Sequence, residues 1–214
     1  MQALLDSQQI KAEDVGGDLN RPISANYFII HDTSAPNCSD MGKLASCEIR
    51  GEFPSDRGNA NWNYNINNGG HPKKYPNRVD HVFTNHIGSS ITEVNLAEHI
   101  ATTKFESCVD VSEKLNLLVS VKNIQPRVGD PKIPDSGAKV NDFESPNLGF
   151  TNPQYERLAL IYIVASSRRG QWLIPAFHAE LDQHYKDGHD DPQKFKMEEF
   201  SKAGQKYIKS VTSL

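Results

Sequence analysis

The sequence predicts an α/β fold in which a mixed central β-sheet is flanked by helices, and three observations lead there. A continuous apolar run, Tyr27-Phe28-Ile29-Ile30, has the β-branched and aromatic content of a strand buried on both faces. Segments in which apolar and polar residues alternate follow at 80–96 and 115–124. Two stretches of helical period come after them, so strands and helices interleave along 214 residues, a length suited to one domain.

Taken in order, residues 1–21 are polar and acidic without a sustained apolar period, and read as an extended or partly helical lead-in packed on the surface. The first strand ends at His31 in a polar turn. Residues 40–50 suit a short helix, and 51–78 form a long loop rich in Asn, Gly, Pro and Trp, a length usually tied to function or mobility. DHVFTN at 80–85, Gly88 and the segment 91–96 predict a hairpin. The strand at 115–124 (LNLLVSVKNI) places Val119 and Val121 on one face and Ser120 and Lys122 on the other. Thr151-Asn152-Pro153-Gln154 carries a capping box and a first-turn proline, opening a helix whose stripe is Tyr155, Leu158, Tyr162 and Ala165, with Ile161 beside it. Arg168-Arg169-Gly170 ends that helix, the arginines reading as a charged helix end. Trp172-Leu173-Ile174-Pro175 leads to His178, and a last amphipathic helix spans 198–211 with Phe200, Ala203, Tyr207 and Val211 inward.

Composition narrows the function classes. Lys and Arg total 23 against 27 Asp and Glu, a formal charge of -4, which leaves no basic footprint for a nucleic-acid backbone. With a mean hydropathy of -0.59 and no apolar run near the roughly 18 residues of a membrane helix, a soluble chain is expected. Residues 1–6 carry neither the basic segment nor the apolar core of a secretory leader. Three unequally spaced cysteines rule out a dense disulfide framework; Cys38 and Cys47 are close enough to bridge one small loop, with Cys108 as a buried thiol. Nothing in the sequence speaks to oligomeric state.

The eight histidines are more informative. A histidine at the end of a buried strand is as often a hydrogen-bonded packing residue as a ligand, so His31 needs company. His178-Ala179-Glu180 and Gly188-His189-Asp190-Asp191-Pro192 supply it: two imidazoles and a carboxylate leave a fourth position open, the arrangement of a catalytic zinc. His81 and His86 flank a strand of alternating facing, so only one points inward, and both read as structural. Trp62, Tyr64 and Asn65 lie in the long loop, where aromatic rings stack on sugar faces or on their own loop. The contrasting class is an interaction domain whose histidines are structural; the metal content of purified protein separates the two.

Four segments in order, YFIIHDTS, DHVFTNHIGSSITEVNLAEHIATTKFE, FTNPQYERLALIYI and HAEL followed by HDDPQKF, resemble the type 2 N-acetylmuramoyl-L-alanine amidase family, which includes phage amidases and peptidoglycan recognition proteins. The resemblance covers about 27–195 and is low in the 51–78 loop. It implies a mixed sheet flanked by helices, one zinc held by His31, His178 and Asp191, and a groove for peptidoglycan or a muropeptide. It also implies hydrolysis of the amide between N-acetylmuramic acid and L-alanine, outside the cytoplasm, in the periplasm or extracellular space. The 13 positions between His178 and Asp191 exceed the family spacing, so His184 and His189 are rival ligands, Asp191 being favoured by its Asp-Pro match. By the same resemblance His189 stands where the family's cationic oxyanion donor is expected, and His99 where a residue lines the groove. Lys122 occupies the place of the general-base Glu. Three readings follow: Lys122 is a base of lowered pKa, another group such as Glu180 or Tyr64 substitutes, or the chain binds peptidoglycan without cleaving it.

Overall fold

β1 (Tyr27–Asp32) lies inside a five-stranded sheet, and the burial of Phe28, Ile29 and Ile30 follows from strands on both sides and cover on both faces. A computed structural model describes residues 1–33, 37–38, 80–100, 102–103, 118–125, 127–128, 149–184 and 191–212. β1 pairs in parallel with β5 (Leu118–Asn123), Tyr27 opposite Leu118 and His31 opposite Lys122, and on its other side with β7 (Ile174–Phe177). β3 (Val82–Thr84) runs parallel to β5 and antiparallel to β4 (Ser90–Thr92), so the order is β4-β3-β5-β1-β7 and the sheet is mixed, as predicted. The expected hairpin is β3–β4, shorter than its pattern and closed by Asn85, whose side chain accepts from Ser89 N–H at 2.8 Å. A second, two-stranded piece pairs β2 (Asn37–Cys38) with β6 (Arg127–Val128). Among the described residues no helix is long and apolar enough to cross a membrane.

The two-residue period of the strands decides which chemistry faces which side. Phe28, Ile30, Val82, Val119 and Val121 join one apolar core. The alternate residues His31, Ser120 and Lys122 share the opposite face, as β1 and β5 are in register. α2 (Asn152–Arg169) covers the apolar face. Its capping box is complete: Thr151 Oγ1 accepts from Gln154 N–H and Gln154 Oε1 accepts from Thr151 N–H. Gly170 ends it in the left-handed conformation. Burial on α2 is wider than the predicted stripe, adding Ala159, Leu160 and Val164, because α4 (Met197–Thr212) packs across its other side with Phe200, Ala203 and Tyr207. The side chain of Val211 lies outside the described residues, as do the helix expected at 40–50 and the 51–78 loop.

Two expectations are corrected. The lead-in is anchored in the core: α1 (Gln2–Ser7) buries Leu4 and Leu5, and Val15 enters after a 3-10 turn at Ala12–Asp14. Leu4 and Leu5 form one short pair and Val15 stands alone, so no sustained period announces them. Gly16 adopts φ +110°, and a Cβ there would lie 2.3 Å from the side chain of Leu96. Arg168 is likewise no solvated helix end, being 7 % exposed. Its guanidinium donates to Arg21 O at 2.8 Å, Gly16 O at 2.7 Å and Asn95 Oδ1 at 2.8 Å, tying lead-in, hairpin return and α2 together.

His81, fully buried, is the structural histidine the alternation allows. Its Nδ1 accepts from Ser120 N–H at 3.1 Å and its Nε2 donates to Glu98 O at 2.9 Å, which defines the neutral ring. Burial lowers its pKa from 6.5 to about 4. His81 therefore contributes stability present above pH 6.5 and lost as pH falls towards 4, about 3 kcal/mol in all. A ring-proton NMR titration of His81 is expected to show a midpoint near 4; a midpoint near 6.5 would refute it.

Candidate metal centre

The parallel strands end at one edge of the sheet, where open α/β sheets collect their ligand sites. His31 stands near the end of β1, and His178 follows β7 directly as the first residue of α3 (His178–Asp182). The Ile30–Phe177 pairing brings the two histidines level, with ring centroids 4.3 Å apart. Asp191 reaches them from the segment before α4. Its carbonyl accepts from Ala179 N–H at 2.9 Å, its Oδ2 accepts from Asp32 N–H at 3.1 Å, and Asp32 Oδ2 accepts from Gln193 N–H at 3.0 Å. Phe195 pins that segment, its ring 5.1 Å from Phe150 and 5.2 Å from both Tyr155 and Phe177.

Asp191 Oδ1 lies 3.2 Å from Nδ1 of His178, and Asp191 Oδ2 lies 3.4 Å from Nδ1 of His31. One donor atom from each residue lies within 4.8 Å of the other two, close enough for the three to share one ion. All three residues are buried, and they are the one group of three potential metal ligands gathered this closely among the described residues. Nδ1 of His31 and Nδ1 of His178 are buried without a hydrogen bond, two orphaned polar atoms facing one carboxylate. Nε2 of His178 is 2.9 Å from Asp182 Oδ2, the carboxylate–histidine pairing that orients metal-ligating imidazoles.

The electrostatics allow one imidazolium, not two. For His178 burial acts to lower the pKa, but the hydrogen bond with Asp182 and the close Asp191 carboxylate overcome it and raise the value to about 9. His31 is pushed down by burial and by the charge on His178. Burial would raise Asp191, yet its contacts with His178 first and His31 second hold the carboxyl well below the usual range. A buried anion flanked by one cation and one neutral ring is a site that a divalent cation can enter by displacing a single proton.

The fold thus brings together His31, His178 and Asp191. His184 is exposed beside Gln183 and takes no part in the cluster, and Glu180 and His99 are exposed. Lys122 lies on the His31 face with its side chain 13 % exposed and its Nζ 3.4 Å from Asp80 Oδ2. His189, Trp62, Tyr64, Cys47 and Cys108 lie outside the described residues. Four residues that organise the site escape sequence reasoning: Asp32, Asp80, Thr102 and Asp182. Only Asp182 had a legible signal, four positions after His178 and hence on its helix face. Matched against models of protein families, against characterised proteins and against solved structures, the chain has no match in any of the three.

Proposed function

We propose that the chain is a zinc-dependent peptidoglycan amidase, hydrolysing the amide between N-acetylmuramic acid and the L-alanine of the stem peptide. The observation that carries this reading is the buried His31-His178-Asp191 triad at the sheet edge. The four ordered segments that resemble type 2 amidases direct it to peptidoglycan and to a site of action outside the cytoplasm. When bound, zinc supplies Lewis acidity and a water of lowered pKa, which is the chemistry amide hydrolysis requires at neutral pH. The chain's own residues do the rest: Asp182 orients His178, and the backbone of Asp32 and Ala179 holds Asp191.

One observation favours a second reading, a peptidoglycan-binding protein without hydrolysis. The Lys122 ammonium is ion-paired with the fully buried Asp80, and a paired ammonium has no lone pair with which to take a proton. The test is digestion of purified cell wall by the wild-type chain beside Lys122→Glu and His178→Ala, with zinc quantified and products identified by mass. The amidase is expected to release stem peptides, and His178→Ala to release none. A wild type that carries a full equivalent of zinc and binds muropeptide but releases nothing overturns the enzyme in favour of the binding protein, most directly if Lys122→Glu gains activity.

A further inference from the structure

On the side of the His31 ring away from Asp191 stands a second set of polar groups. Thr102 Oγ1 is 3.3 Å from His31 Nε2, 3.3 Å from Asp80 Oδ1 and 3.2 Å from Ser120 Oγ. Ser120 O–H donates to the same Asp80 Oδ1 at 2.6 Å, so a Thr102 proton passed to either neighbour ends at the Asp80 carboxylate. Asp80 itself is 1 % exposed, too deep to touch a substrate.

A hydroxyl that donates towards a carboxylate offers a lone pair to a neighbouring donor on its other side. Here that neighbour is Nε2 of His31, which must then carry the ring proton. Nδ1, the nitrogen facing Asp191, is left as the electron-pair donor. We infer that Asp80, acting through Thr102, is a positioning residue of the metal centre, holding His31 in the tautomer that can ligate. The inference rests on the triad's being a metal centre and not on the amidase reaction. It makes the two histidines alike in logic: Asp182 receives the Nε2 proton of His178 directly, and Asp80 receives that of His31 through one hydroxyl. It also accounts for a lysine beside a cation site. Lys122 is the counter-charge of the buried Asp80, its Nζ 3.4 Å from Asp80 Oδ2.

The test uses the full chain without substrate: zinc affinity by competition with a chromophoric chelator, the visible spectrum of the Co2+-loaded protein, and the thermal midpoint without metal. Thr102→Val keeps the side-chain shape and removes the hydroxyl; it is expected to weaken zinc binding roughly 10–100-fold and to alter the Co2+ spectrum, with the metal-free fold intact. Thr102→Ser restores affinity to within about threefold. The double variant Asp80→Asn/Lys122→Met, which leaves no unpaired charge, loses affinity comparably, and Thr102→Val added to it costs less than about twofold more, as steps in one chain are not additive. Wild-type affinity in Thr102→Val, or equal losses in the Val and Ser variants, overturns the relay. A wild type that takes up no zinc overturns the centre and the relay with it. Failure to cleave peptidoglycan with zinc bound bears on the reaction alone, because none of these measurements includes substrate.

Discussion

Replacing His178 with alanine is expected to lower zinc affinity by about 3–4 kcal/mol, roughly 10²–10³-fold, the share of one ligand in a typical zinc site. The buried carboxylates Asp182 and Asp191 both lose a partner, so the metal-free variant is also less stable than the parent. The pH dependence of the parent follows from the same contacts. His178 is protonated in the metal-free chain up to about pH 9, whereas His31 is already neutral and Asp191 already ionised at pH 7. One proton is therefore displaced per ion bound, and zinc affinity is expected to rise about tenfold per pH unit from 6.5 to 8.5. Stability of the metal-free chain moves the other way. The contribution of the raised His178 is complete below pH 6.5 and is lost as pH rises towards 9. Chelator competition across that range checks the slope; a flat profile overturns the assignment, and a slope of two means that His31 is protonated as well.

The second large effect lies far from the metal. Arg168→Ala removes three charge-assisted hydrogen bonds: the Arg21 carbonyl loses its donor, while Gly16 O and Asn95 Oδ1 keep only those from the N–H groups of Leu96 and Ala97. Since hydrogen bonds to charged groups contribute about 1.5–3 kcal/mol each when measured singly, and partial access by water offsets part of the loss, a destabilisation of about 2–4 kcal/mol is expected. For a chain of this length that corresponds to a thermal midpoint lower by roughly 5–15 °C. Arg168→Lys recovers less than half, because one ammonium cannot span a fork aimed at three acceptors. A calorimetric loss under about 1 kcal/mol would show that the clasp is idle.

Periodicity made much of the fold legible, since it reports burial directly. The run at Tyr27–Ile30 became the doubly covered β1, the capping box at Thr151–Gln154 opened α2 as written, and the hairpin around Gly88 formed with shorter strands. Where burial came from isolated residues, pattern was silent, and Leu4, Leu5, Val15 and Arg168 were read as surface. The breadth of burial on α2 was hidden for a related reason. A helix covered on two sides loses the one-sided stripe, and what covers it, α4, arrives more than 25 residues later.

The candidate site divides along the same line. The sequence by itself offered the donor types: a histidine ending a buried strand, a histidine after an apolar segment, and an aspartate before a proline, all properties of local chain. Only the tertiary structure decided that Asp191, not His184, closes the triad, because the choice depends on where the chain returns after α3 and on the backbone hydrogen bonds from Asp32 and Ala179 that hold it there. It alone gave Lys122 its partner. Asp80 and Thr102 are 22 positions apart, and parallel pairing of β3 with β5 and β5 with β1 carries the chain that brings them, Ser120 and Lys122 behind His31. Contacts made across strands leave no period in a single chain, so this part of the chemistry becomes visible only when the sheet is assembled.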